Sequence, residues 1–216
     1  MWHVELAEQL PTRLAELSNI APQDRIAPGV VIEDLACIDE AAGPVVIGPR
    51  TRICRGAVIK GPAYIGADCL IGNNSIVRGG CWISDNVKIG YTTEIKHAII
   101  ERDVSIGPLC FVADSIVRPN VYLGAMVRTS NHRADKQDVH VYYLSDDACG
   151  YRKVNSRTDK LGCEIGANTF LGVGCIILPG RIVPPDSQFG PGIHITKNFT
   201  PGTYSLKQEV SELLRL

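Results

Sequence analysis

Polar and cationic side chains crowd the stretch from Val127 to Lys160, among them Arg128, Asn131, His132, Arg133, Lys136, His140, Arg152, Lys153, Arg157 and Lys160. Gathered cations draw an anion in and hold it by charge-assisted hydrogen bonds. Two histidines, His132 within this stretch and His97 in the segment EIKH, add imidazoles, which exchange a proton near neutral pH and suit a general base. Either histidine is also compatible with an ordinary surface role. The chemistry in reach is capture of an anionic ligand and removal of a proton from it. Metal chemistry is not indicated, because Cys37, Cys54, Cys69, Cys81, Cys110, Cys149, Cys163 and Cys175 include no CxxC pair. Cys69, Cys81, Cys110 and Cys175 fall where a small buried residue is wanted, and a free cysteine packs as a small hydrophobe.

The elements that must position these groups are set by a six-residue beat. An aliphatic residue recurs at Ile47, Ile53, Ile59, Ile65, Ile71, Val77, Ile83, Ile89 and Ile95. Four residues after each stands something small or β-branched: Thr51, Ala57, Ala63, Cys69, Ser75, Cys81, Val87, Thr93, Ile99. A helix buries a stripe near every 3.6 residues, so this pattern is not helical. It fits a short strand and a tight turn, with Gly48-Pro49, Gly61-Pro62, Gly79-Gly80 and Asn73-Asn74 supplying turn chemistry. Three such units make a triangular coil, and coils stack at roughly 4.8 Å. The predicted fold is an all-β solenoid of hexapeptide repeats. It spans residues 26–192, is interrupted near Asp39 to Val46, and stops for a long inserted loop over 127–160. Loops of that length inside a regular domain are usually functional or disordered.

The ends differ in kind. Trp2, Leu6, Leu10, Leu14 and Leu17 recur at helical spacing, so residues 1–25 read as an amphipathic helix and linker, with Pro11 the point of bending. Residues 193–216 read as an extension closed by a short helix carrying Leu206, Val210, Leu213 and Leu214. Either helix could cover an end of the rod or pack against another subunit. The chain of 216 residues is 45% hydrophobic with a net charge of -1, which gives no basic excess for nucleic acid or a membrane surface. No apolar stretch is long enough to span a bilayer, and Met1 to Ile20 lacks signal-peptide features, so a cytoplasmic location is expected.

Four segments carry a family resemblance: GPVVIGPRTRI, TEIKHAII, NVYLGAMVRTSNHRADKQDV and KLGCEIGANTFLGVGCIILPG. In order and spacing, from Gly43 to about Gly192, the chain resembles the acetyltransferase half of the bifunctional enzyme that makes UDP-N-acetylglucosamine. It also resembles the C-terminal domains of related sugar-1-phosphate nucleotidylyltransferases. The resemblance implies a left-handed β-helix, a homotrimer with active sites between subunits, and acetyl-CoA or another acyl-CoA as co-substrate. It implies that Arg78 and Lys96, eighteen residues apart, grip a sugar phosphate, an arginine fork taking two oxygens and a lysine adding a point charge. Lys160 matches a further substrate-binding lysine, and Asn131 an asparagine beside the site; Lys136, in the same matching segment, joins them as a candidate contact to the anionic sugar. Ala125 matches the residue whose backbone N–H faces the thioester oxygen, where it would stabilise an oxyanion. Gly172, Gly190 and Lys207 are the candidate CoA contacts, although the glycines also suit plain turns.

The same resemblance has departures. The family's general-base histidine stands where this chain has Pro108, its sugar-contacting tyrosine is Phe111, and a usual asparagine is Tyr122. Proline cannot take a proton. Three readings follow: His132 or His97 supplies the base; the acceptor arrives neutral or its phosphate takes the proton; or the chain is a non-catalytic sugar-nucleotide-binding scaffold. The expected activity is acyl-CoA-dependent N-acyl transfer to an amino sugar phosphate or nucleotide sugar.

Overall fold

The computed structural model describes residues 1–144 and 150–207. Its body is a parallel β-solenoid with three faces, a first of nine strands, a second of eight and a third of seven. The beat becomes vertical stacking. Ile53 pairs with Ile71, Ile71 with Ile89, Ile89 with Ile106 and Ile106 with Leu123 along the first face, all at 2% exposure or less. Each such aliphatic side chain taken from water contributes about 1.5–3 kcal/mol.

The corners explain why polar turn residues recur in step with the anchors. Between the third and first faces, Asp68, Asn86, Asp103, Asn120, Asn168 and Asp186 all take left-handed backbone with φ of 52–61°. Asparagine and aspartate tolerate that conformation better than other side-chain-bearing residues. Their side chains also ladder between coils, Asn86 Nδ2 donating to Asp103 Oδ1 at 2.7 Å and Asn168 Nδ2 to Asp186 Oδ1 at 2.8 Å.

The beat slips twice. Ile47, Ile65 and Ile83 advance by full coils along the third face, whereas Ile100 and Val117 each arrive one residue early. Ala98, not Ile99, therefore takes the inward place over Cys81, and Ile99 pairs with Trp82 on the outside of the rod. Ile99 is buried there by the N-terminal helix, not by the core expected from the spacing. The residues lost come from the corner between the second and third faces, the corner occupied by His97 and Asp114.

Trp2 to Asn19 is helical throughout, as Trp2–Val4, Glu5–Gln9, Leu10–Glu16 and Leu17–Asn19. The Glu5–Gln9 turn is a wider π-helical one immediately before Pro11, where proline removes a backbone donor and crowds the preceding turn. This helix does not cover a solenoid end. Trp2, Leu6, Leu10, Leu14 and Leu17 lie along the third face against Val46, Ile99 and Ile116. Arg118 ties it down, binding Glu5 at 2.8 Å, Glu101 at 2.9 Å and Glu164 at 2.7 Å.

Two further expectations change. The inserted segment is not a structureless loop, because His140–Leu144 and Tyr151–Asn155 pair as an antiparallel hairpin. The rod also continues past residue 192, since His194–Ile195 and Thr203–Tyr204 extend the second and first faces. The expected closing helix lies, beyond Leu206 and Lys207, outside the described residues. No helix among the described residues is long and apolar enough to cross a membrane.

Cysteine packing is as expected for Cys69, Cys81, Cys110 and Cys175, all buried and free. Burial pushes the thiols of Cys81 and Cys163 up to about 12. A Cys149→Ser variant, which removes the cysteine outside the described residues, is expected to show one fast thiol with Ellman's reagent, the exposed Cys37, and six that react only on unfolding.

Candidate active site

The shortened corner stacks four residues on successive coils: Gly80, His97, Asp114 and Asn131. Gly80 has a φ of 81°, and His97 and Asp114 keep the same left-handed backbone at 44° and 49° while adding side chains. Histidine and aspartate both occur there more readily than bulky or β-branched residues. Asp114 is buried at 5% exposure and is held from two sides. His97 Nδ1 lies 3.0 Å from Asp114 Oδ1, and Asn131 Nδ2 donates to Asp114 Oδ2 at 2.6 Å. Burial by itself would raise the Asp114 carboxyl, but the bonds from His97 and Asn131 and the charges of His97 and Lys96 outweigh it and hold it below the usual aspartate value. An ionised Asp114 accepts, so Nδ1 of His97 carries a proton, and in the neutral imidazole Nε2 is the acceptor.

The inserted segment leaves and returns at this corner. Leu161 donates its N–H to the Asn131 carbonyl at 3.0 Å, and Gly162 donates to the Asp114 carbonyl at 2.8 Å. His97 consequently lies in a groove of about 600 Å³ between the N-terminal helix and the hairpin, whose polar lining includes Glu8, Ser156, Arg157 and Lys160. Lys96 ends the strand Glu94–Lys96 immediately before His97, and Arg78 follows Val77, the last residue of the strand beneath, and pairs with Glu94 at 3.0 Å. Arg78, Lys96, His97, Asn131 and Lys160 thus belong to one corner of one rod.

Other expected site residues lie elsewhere. Ala125 is at the corner between the first and second faces, in the turn after Tyr122–Leu123, as is Pro108 one coil earlier. A strand of the second face separates that corner from His97, so a single chain does not bring the Ala125 N–H to the imidazole. Gly172 and Gly190 stand in the same column as Ala125's neighbour Gly124. A Cβ on Gly172 would sit 2.7 Å from the Gly190 carbonyl carbon, which accounts for glycine there by coil stacking alone. Lys207 is exposed after the last strand, and Lys136 is exposed on a turn of the insertion. His132 pairs through its backbone with Lys160, but it lines a different cavity from His97. Asp114 was not singled out by residue type. Its signal was the regular spacing of His97, Asp114 and Asn131 once the two shortened coils are counted.

Residues 16–149 match the GLGC left-handed parallel beta-helix domain. The uncharacterized acetyltransferase YaiX of Escherichia coli O6:K15:H31 is 52% identical over 195 residues, which are 90% of this chain and 82% of that protein. The chain belongs to the left-handed β-helix acetyltransferases. The expected handedness is this family's. The bifunctional protein GlmU of Heliobacterium modesticaldum is 31% identical over 162 residues, 70% of this acetyltransferase and 33% of the longer protein. The solved Francisella novicida UDP-N-acetylglucosamine acyltransferase is 16% identical, with a TM-score of 0.54 over 79% of this chain and 61% of that one, and shares the fold. Within this acetyltransferase the corner of His97 is the place where a histidine, a buried carboxylate and cations meet.

Proposed function

We propose that this acetyltransferase moves an acyl group, acetyl in the first instance, from acyl-CoA to the amine of an amino sugar that carries a phosphate or a nucleotide, with His97 as general base. The observation that carries the reading is the His97–Asp114 hydrogen bond beside a cation-lined groove. As the amine attacks the thioester carbon, His97 Nε2 takes the proton the nitrogen must lose, and the imidazolium that forms is stabilised by Asp114. The tetrahedral intermediate then collapses, the C–S bond breaks, and the departing thiolate recovers that proton. Lys160, Lys96 and Arg78 orient the anionic acceptor. The Ala125 N–H serves as oxyanion donor from a neighbouring subunit, so the active form is a homotrimer. The two separate corners support this division between chains. Gly172, Gly190 and Lys207 keep their reading as CoA contacts along the later coils. Free buried thiols fit a cytoplasmic setting.

The test is release of CoA thiol from acetyl-CoA by the purified protein, with a panel of hexosamine 1-phosphates and UDP-hexosamines that differ in the position of the free amine. Turnover with one of them, and its dependence on the amine, is expected. Binding of these sugars with no thiol release from acetyl-CoA or longer acyl-CoAs would sink the proposal.

A further inference from the structure

Further along the same corner, the inserted segment and the rod border a second, open cavity of about 540 Å³. Ser130, His132, Arg133, His140, Tyr142 and Arg181 contribute to its wall. Arg181 is half-buried, with its guanidinium carbon 4.9 Å from the Tyr142 ring centroid. Among the described residues no carboxylate lies within ion-pair reach of it, and its buried Nε has no hydrogen-bond partner. The buried Nδ1 of His140 has none either. The carboxylate of the cavity, Asp135, is already engaged by Arg133 at 2.8 Å and 2.5 Å.

An arginine does not escape burial by losing its proton. Holding that charge partly out of water with no carboxylate beside it is unfavourable, and a bound anion would offset this. Burial lowers the affinity of Arg181 for its proton; Tyr142 beside it acts the other way, and nearby Arg133 acts with burial, as expected for a cation with no carboxylate at its side.

We propose that this cavity is a phosphoanhydride site, in which Arg181 binds the diphosphate of a nucleotide-type ligand with Arg133 and the His132 and His140 imidazoles around it. A diphosphate suits the wall better than a carboxylate, because it presents several acceptor oxygens to donors spread over both the loop and the rod. The ligand chemistry has two sources, the diphosphate of CoA and that of a nucleotide sugar. Three coil steps separate the corner at His97 from the corner at Pro179, roughly 14 Å at the strand spacing. An anion bonded directly to the reacting sugar is too close to span that distance, and a diphosphate beyond a spacer is not. Only this distance rests on the acyl-transfer reading; the site itself rests on Arg181.

The experiment is calorimetric titration of the full chain with inorganic pyrophosphate at low salt. Binding to the wild type is expected, weakened about 10–100-fold by Arg181→Met, the loss that goes with one charge-assisted pair. Lys88→Met, on the exposed side of the first face, is expected to leave it unchanged. Competition of CoA and of a UDP-hexosamine against pyrophosphate then assigns the source. If Arg181→Met fails to fold, phenylglyoxal labelling of wild-type Arg181, read by mass spectrometry, is expected to be blocked by pyrophosphate. Equal binding by wild type and Arg181→Met, equal loss in Lys88→Met, or labelling unaffected by pyrophosphate would each overturn the site. Because binding is read without turnover, inactivity in the thiol assay leaves this result standing on its own.

Discussion

Replacing His97 with alanine is expected to lower kcat for acyl transfer by about 10²–10⁴-fold, the range over which a positioned general base acts. In the proposed reaction the effect falls on kcat, because His97 would meet the amine proton only as the C–N bond forms, whereas the cations would meet the acceptor in the ground state. His132→Ala is the matched control. That side chain is exposed and lines the other cavity, so kcat stays near the wild-type value. Added imidazole should restore part of the activity of His97→Ala, since the space left in the groove admits a small base. Full activity in His97→Ala, or a loss confined to His132→Ala, would move the base to His132.

Asp114 provides a second readout of the same arrangement. Asp114→Asn keeps the shape but no longer fixes the proton on Nδ1 of His97, so kcat falls in the same direction. It also leaves a buried network partly unsatisfied, expected to cost about 1–3 kcal/mol in urea unfolding at neutral pH. The sign of the pH dependence follows from the depressed carboxyl. Its stabilisation is fully present above the unfolded value of about 3.9 and is lost as pH falls through the lower folded value. The stability gap between wild type and Asp114→Asn should therefore narrow only in strongly acidic solution. A gap that closes near pH 6 would show that Asp114 is not the ionised partner of His97.

The other large effect is expected from Leu10→Asp. Leu10 is at 0% exposure between the helix and the third face. A leucine there contributes about 1.5–3 kcal/mol, while an unpaired buried carboxylate costs several. The sign of the interaction reverses and the helix undocks. Leu6 and Glu8 of this helix wall the groove that holds His97, so the KM for the acceptor rises while the coils, whose anchors lie inside the rod, keep their stacking. Limited trypsin digestion should cut after Arg13 in the variant and spare the wild type. An acceptor KM unchanged in a variant that is cut there would separate the helix from the site.

Much of the rod was legible because its rule is local. An aliphatic residue every six and a small residue between, from Ile47 to Ile95, state which side chains face inward whatever else the chain does. The amphipathic stripe of the first helix was equally legible, but its destination was not. Nothing in Trp2, Leu6 and Leu10 says that they meet Ile99 on a side wall, because Ile99 turns outward only after the coil loses a residue at His97. The hairpin in the insertion was missed for a related reason. One of its strands, Tyr151–Asn155, carries mostly polar and charged side chains, and pairing across an irregular connection leaves no fixed period.

The sequence by itself determined the three-faced solenoid and the membership of a transferase family, and it placed Arg78 and Lys96 eighteen residues apart. Residue type could nominate two histidines and no more. What distinguishes them lies in three dimensions, where two shortened coils bring His97 over Asp114 and the returning insertion closes on the same corner through Gly162. Repeats are written in neighbouring residues, so a sequence displays them. A hydrogen bond between side chains seventeen positions apart depends on coil register, which only the folded stack sets.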